Sequence, residues 1–223
     1  TSESLKKLTI SFQHPFFLKP EPTTAPLGSA GKLLLSYRQA KPGLYSIGFL
    51  AKKDANEPLL TTSYYPPPYS AGHLMIQDQG LLQKAILGHY QVGFGQGLII
   101  RSGFNMDKTA QAVYILRANQ KGISPNCSYG RKVGFQGLAT TLSKADFNLT
   151  LYASLRKLDI QPTPAGHVTS IERRGCIYAS PQSLDKKDKF QEQLLGAALT
   201  YSPHPNFELG IQGIDYRYSH PVH

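Results

Sequence analysis

Tryptophan is absent from this chain, and its 223 residues include only two cysteines. The lack of Trp removes one of the two residue types that usually girdle a membrane β-barrel and leaves that place to Tyr. The two cysteines, Cys127 and Cys176, fit no zinc spacing. They are either one disulfide in an oxidising compartment or two unrelated thiols. Charge is also scarce: Asp, Glu, Lys and Arg make up 17% of the chain, against the ~25% usual in soluble domains. Long apolar runs are missing too. Runs such as Leu33-Leu34-Leu35 fall far short of the ~20 residues of a spanning helix. A helical membrane protein is therefore excluded, but a membrane barrel is not, because its strands need only ~10 residues of alternating character. The start, Thr1 to Lys7, holds no apolar stretch of signal-peptide length. That leaves a mature chain, a fragment or a cytosolic protein.

Against these absences, the chain carries 13 Tyr, 10 Phe, 20 Gly and 16 Pro, with 40% hydrophobic residues. An aromatic, turn-rich, charge-poor chain of this length reads as one large all-β domain spanning 1–223. The formal net charge is +10. Nucleic acid, anionic lipid headgroups or acidic polysaccharide would each suit it. The basic residues are scattered, however, and in the densest run, Asp185 to Lys189, acids alternate with bases. A nucleic-acid site calls for a basic patch on one face, so solvated loops and water-facing strand sides are the preferred reading.

The dominant period is two. Phe147, Leu149, Leu151, Ala153 and Leu155 fall on one face of an extended segment, and Asn148, Thr150, Tyr152, Ser154 and Arg156 on the other. Phe207, Leu209 and Ile211 repeat the pattern. The phase then flips at Gly213, which predicts a β-bulge there. Lys41-Pro42-Gly43 marks a turn between strands 32–38 and 45–51. Further hairpins are expected at Ser143–Asp146, between 133–142 and 147–158, and at Ser202–Asn206, between 194–201 and 207–218. The segment 182–195 reads as a loop with a helical turn. Pro66-Pro67-Pro68 and the stretch 20–30 read as further loops. In all, about twelve strands are expected, in up-and-down antiparallel order.

Two architectures share this period. Strands are long, turns at one end are tight, and the non-apolar faces carry Ser, Thr, Gln, Gly, Tyr and Arg. That asymmetry favours a transmembrane barrel with a polar interior and outer-membrane lipid around it. A lipocalin-like soluble barrel would turn the apolar side inward, and period alone does not separate the two.

The most distinctive segment is His89 to Ile100. Read as one strand, it places Gln91, Gly93, Gly95 and Gly97 on one face. That groove without side chains is expected to receive a plug, a loop, a ring from the next strand, a ligand or a partner chain. A phosphate-loop reading fails, because no Gly-Lys-Ser/Thr follows.

Here the chain resembles a known family, the C-terminal β-rich region of helix-hairpin-helix (ComEA-like) proteins of Bacteroidota. Gly48 to Pro58 is similar to that family's G-x-x-A-E-K-D-x-G-E-P block, and Gly88 to Leu98 to its G-D-Y-x-x-x-F-G-Q-G-L block. Ser102-Gly103-Phe104 and Lys108 follow in order. Phe135 to Ala139 stands for F-R-G-A-A, and Tyr152 to Asp159 for F-x-S-x-R-K-I-D. The blocks cover about residues 44 to 218. The departures are Lys52 for the block's acid, Asn56 for glycine, His89 for aspartate and Gln136 for Arg. The later R-T-x-x-E block is lost near Ala179-Ser180-Pro181, and no helix-hairpin-helix segment exists in this chain. The resemblance implies an outer-membrane barrel of a Gram-negative, Bacteroidota-like cell. It transfers no activity. The chain ends at His223 without the terminal aromatic common in such barrels, so the barrel need not be complete.

Lys52, Lys53, Asp54 and Glu57 form a compact charged set at a strand end. With Arg156 and Asp159 they could build an interior charge network that fixes register, or they could be an ordinary solvated turn. The seven histidines show no metal spacing; only His220 and His223 lie close in sequence. A Ser154–His89 pairing for hydrolysis has no spacing to support it. No catalytic residue, metal or cofactor is assigned. The preferred reading is a non-enzymatic pore, scaffold or subunit of an envelope assembly, with other envelope proteins or a plug segment as partners. The alternatives are a nucleic-acid-binding or DNA-uptake-associated module and an outer-membrane hydrolase.

Overall fold

The structure, a computed structural model, describes residues 4–14, 27–59, 69–95, 100, 122–128, 133–162, 168–172, 177–204 and 206–219, with side chains left out at 161–162 and 168–172. It is all-β and antiparallel. Its strands are β1 (Leu5–Gln13), β2 (Lys32–Lys41), β3 (Tyr45–Lys53), β4 (Tyr69–Gln79), β5 (Leu82–Gly93), β6 (Gly122–Pro125), β7 (Phe135–Lys144), β8 (Phe147–Pro162), β9 (Val168–Glu172), β10 (Phe190–His204) and β11 (Phe207–Tyr218). One short helix, α1 (Pro181–Asp185), begins at Ser180, whose hydroxyl caps the Ser183 N–H. Strands pair in the order β1-β2-β3-β4-β5-β7-β8-β10-β11, with β6 alongside β5 and β9 alongside β8. This is an up-and-down sheet. It is open: β1 and β11 are its edges, and they do not pair with each other among the described residues.

The expected hairpins form at Pro42-Gly43, at Ala145-Asp146 and between His204 and Phe207. Three boundaries differ from expectation. β10 starts at Phe190, inside the stretch read as a loop, because Phe190, Glu192 and Leu194 alternate onto the buried face. β5 stops at Gly93, so 89–100 is not one strand. Gly95 turns left-handed at φ 54°, and Phe94 swings onto the ring of Tyr152, 6.3 Å between centroids. Third, the register of β10 and β11 runs unbroken through Ala197–Gly213, and its irregularity lies between Tyr201 and His204. The apolar residues change face at Gly213 while the strand itself continues. Leu209 and Ile211 face out, whereas Ile214 packs on the interior cluster.

The register aligns side chains into two faces of opposite character. On one face, Ile47, Leu74, Leu87 and Leu138 sit opposite one another across β3, β4, β5 and β7. Leu142, Leu149, Leu199 and Ile211 do the same across β7, β8, β10 and β11. Ile10 and Leu35 continue the face onto β1 and β2. All of these side chains are exposed. The buried residues lie on the other face: Ile86, Tyr90, Ala139, Tyr152 and Leu194 form one cluster, joined by Met75 from β4 and Ile214 from β11. Tyr90 reaches across β7 to donate to Ala153 O of β8 at 2.8 Å.

For strands so far apart to share one cluster, the sheet must curl, and glycines supply the bend. Gly88 and Gly137 face each other across β5 and β7, with φ of 102° and 154°. A Cβ would lie 2.3 Å from Gly72 O in the first case and 2.2 Å from Ala153 O in the second. Each therefore lets its strand press into the backbone of the neighbour, a kink that coils the sheet. At the other end of the cluster, the Tyr152 ring lies directly over Gly196, its partner on β10, and fills the space a side chain would take. Gly88→Ala is expected to cost about 1–3 kcal/mol through forced backbone strain, read as a lowered denaturation midpoint. An exposed control at Gly213, whose Cβ position is open and whose φ is not left-handed, should lose less.

Candidate functional site

The curled sheet puts polar groups inside, and those inner groups are the candidate site. Near the β4–β5, β7–β8 and β10–β11 turns, a cavity of about 420 Å³ is lined by Gln77, Lys84, Thr141, Thr150, Thr200 and Glu208, among others. The Thr141 and Thr150 hydroxyls bond each other across β7 and β8 at 2.9 Å. Lys84 Nζ donates to Ile123 O at 3.2 Å, tying β5 to β6. Such a lining favours water and polar solutes over apolar ones.

Of the residues expected to form an interior charge network, the structure makes two groups. Arg156 on β8 pairs with the fully buried Glu192 on β10, Nε to Oε1 at 2.6 Å. It also donates to Gly134 O, and its guanidinium lies 5.1 Å from the Phe135 ring centre. The second group joins opposite sides of the sheet. Glu57 and Asp159 are both fully buried, and Tyr178 bridges them. The Tyr178 N–H donates to Glu57 Oε1 at 2.7 Å, and its hydroxyl donates to Asp159 Oδ2 at 2.6 Å. Asp159 Oδ1 also accepts the Asp188 N–H at 2.9 Å, and Glu57 Oε2 the Asp54 N–H at 2.8 Å. Four inter-strand steps separate β3 from β8, roughly 19 Å in a flat sheet. Tyr178, through its N–H and its hydroxyl, ties the segment that follows β3 to the end of β8. Lys53 stands at the edge of this group and donates to Ser29 O and Gly31 O at 2.8 and 2.6 Å. Lys52 pairs with Asp54 at 3.0 Å.

The glycine groove fares differently. At Gly93 and Gly95, no described atom lies within 4 Å of the Cβ position. β5 ends at Gly93 and the backbone turns left-handed at Gly95, so the two glycines do not share one strand face. Gly97 lies outside the described residues, as do Cys176, Pro66–Pro68 and Ser102–Lys108. Gln91 pairs with Ser124 of β6. Ser154 and His89 do not meet. They sit on opposite faces: Ser154 Oγ accepts the Gln136 N–H at 3.1 Å, while His89 Nδ1 lies 3.1 Å from Gly72 N.

A cluster that sequence reasoning missed lies on the inner face. His73 of β4 has Cys127 Sγ 3.1 Å from its Nδ1 and Ser46 Oγ 3.1 Å from its Nε2. Gly48, directly opposite His73 on β3, leaves the space that the imidazole fills. Cys127 is a free thiol, and burial pushes it above its ordinary pKa, opposed by Arg38 and by its bond to His73. Nothing in the sequence pairs residues 54 positions apart; β6 and the turn after it create the contact. No cluster of three or more His, Cys, Asp or Glu able to hold a metal occurs among the described residues. Comparison with protein-family models, curated proteins and solved structures finds no match to this chain.

Arg156→Ala strands the buried Glu192 carboxylate and is expected to cost about 3–5 kcal/mol. Replacing both partners with apolar residues of similar volume, as in Arg156→Met with Glu192→Leu, should recover most of that loss. Denaturant titration of the two variants checks the difference.

Proposed function

We propose that the chain is a β-barrel protein of the outer membrane, its curled sheet standing in lipid and its polar face lining an interior lumen. The observation that carries this reading is the inversion of the two faces. Large aliphatic side chains point outward along the nine-strand path, while Glu57, Asp159, Glu192, Thr150 and Ser154 are buried on the other side. A water-soluble barrel would bury the aliphatic face instead. A monomer in water seldom exposes an apolar patch beyond ~300–600 Å², and a face this broad needs a hydrocarbon neighbour. An aliphatic outer face, with buried carboxylates, hydroxyls and glycines beside the apolar cluster inside, fits barrels that cross membranes with strands. No helix of the described residues is long and apolar enough to cross.

The lumen reading gives the interior network its role. Arg156–Glu192 and the Glu57–Tyr178–Asp159 bridge hold the wall to one curvature. The cavity at the turn end is the mouth through which a small polar solute would pass, or on which another envelope protein or plug would seat. A pore, scaffold or assembly subunit without catalysis is the function proposed. The resemblance to the barrel region of the ComEA-like family points the same way.

Fractionation followed by gel mobility with and without boiling in mild detergent tests the reading. The expected result is an outer-membrane protein whose band shifts on heating. A soluble protein of unchanged mobility would overturn it, and salt-dependent DNA binding would then be the next measurement. Leu151→Arg, near the middle of β8 on the outward face, should cost about 2–4 kcal/mol in lipid. In a chain folded in water the same change would cost almost nothing.

A further inference from the structure

We propose that Ser46, His73 and Cys127 form a thiol-exchange site on the inner wall, in which Cys127 takes up an anionic low-mass disulfide. The inference goes beyond the lumen reading and does not depend on membrane insertion. Its basis is geometric. A nucleophile, a base and a group that orients the base stand in line, with Sγ to Nδ1 and Nε2 to Oγ both at 3.1 Å. Either tautomer satisfies both contacts, and the one protonated at Nε2 leaves Nδ1 free to accept the thiol proton while Nε2 donates to Ser46 Oγ. His73 and Ser46 are buried, whereas Cys127 keeps part of its surface open. The cysteine is thus half-buried and backed by a buried base.

The neighbours select the reaction. Acyl transfer needs donors aimed at an oxyanion. Disulfide exchange needs none. The charged and titratable neighbours of the pair are Arg38 on β2 and His89 on β5. Arg38 lies directly opposite Gly48 in the register, in the same cross-strand row as His73. Its positive charge favours an anionic reagent. The step balances as follows. His73 takes the thiol proton, and the Cys127 thiolate attacks one sulfur of the disulfide. A new S–S bond forms as the old one breaks, and the departing thiolate takes the proton from His73. His73 Nδ1 stands within hydrogen-bond reach of the thiol, so the rate should depend on His73.

The test uses the full chain with Cys176→Ala, so that Cys127 is its one thiol, incubated with oxidised glutathione and followed by intact mass. The expected result is one glutathionyl adduct on the folded protein. Cystamine, a cationic disulfide, should react more slowly. His73→Gln should slow the reaction by on the order of tenfold or more and change its pH profile, and Ser46→Ala should slow it less. Circular dichroism on the same samples shows that each variant has folded. Should His73→Gln disturb folding, the wild-type pH profile and the Ser46→Ala rate still decide. Adduct formation only in denaturant would overturn the proposal. So would a folded-state rate and pH profile unchanged by the His73 and Ser46 substitutions. Loss of the heat-modifiable band, by contrast, bears on the barrel alone.

Discussion

One arrangement organises the molecule: the sheet leaves its aliphatic face exposed and buries the opposite face. In a soluble β domain the aliphatic residues meet each other inside. Here Leu87, Leu138, Leu151 and Leu199 point away from the protein. Backbone pairing along the ladders satisfies the N–H and C=O groups of the strands between the edges, as an apolar medium requires, and leaves one side each of β1 and β11 unpaired among the described residues. The inner side holds an apolar cluster around Ile86, Tyr90, Val92, Tyr152 and Leu194, and beside it buried polar groups such as Glu57, Asp159, Glu192 and Thr150.

How these groups meet explains the shape. Gly88 and Gly137 allow neighbouring strands to approach where a side chain would collide with backbone. The resulting curl brings β3 close enough to β8 for Tyr178 to bridge Glu57 and Asp159. Arg156 and Glu192 fasten β8 to β10 at the same depth. These buried polar contacts act as a set: removing one member leaves a charge or acceptor without water or partner. The inner wall is therefore stiff where it is charged. It is most open at the turn end, where the lining is Thr, Gln and Lys.

Much of the sheet was legible in the chain. The alternation of 147–156, the Pro42-Gly43 turn and the hairpins at 145 and 204 follow from period two and turn chemistry. At Gly213 the pattern predicts a bulge and at 93–97 a continuous strand face, and the structure departs from the two in opposite senses. At Gly213 the strand continues, and the apolar residues move inward to meet the interior cluster. At Gly95 the reverse holds, and the backbone turns. β1 went unnoticed although Leu8, Ile10 and Phe12 alternate. The interior charge set was identified residue by residue, but its link, Tyr178, and its partner, Glu192, were not. Likewise nothing in the order of residues places Cys127 against His73. Such contacts depend on curvature, which a linear pattern does not encode.

The absence of Trp makes the central claim directly measurable, since any Trp introduced is a single reporter. Leu151→Trp would place it on the outward face of β8, and Gln77→Trp on the inner face beside the cavity. The chain would be reconstituted in bilayers of brominated phospholipid, and the fluorescence of each variant compared. The account predicts strong quenching by the lipid bromines at position 151 and weak quenching at 77, where aqueous acrylamide should quench instead. Equal exposure of both positions to the aqueous quencher, with no effect of the lipid, would contradict it.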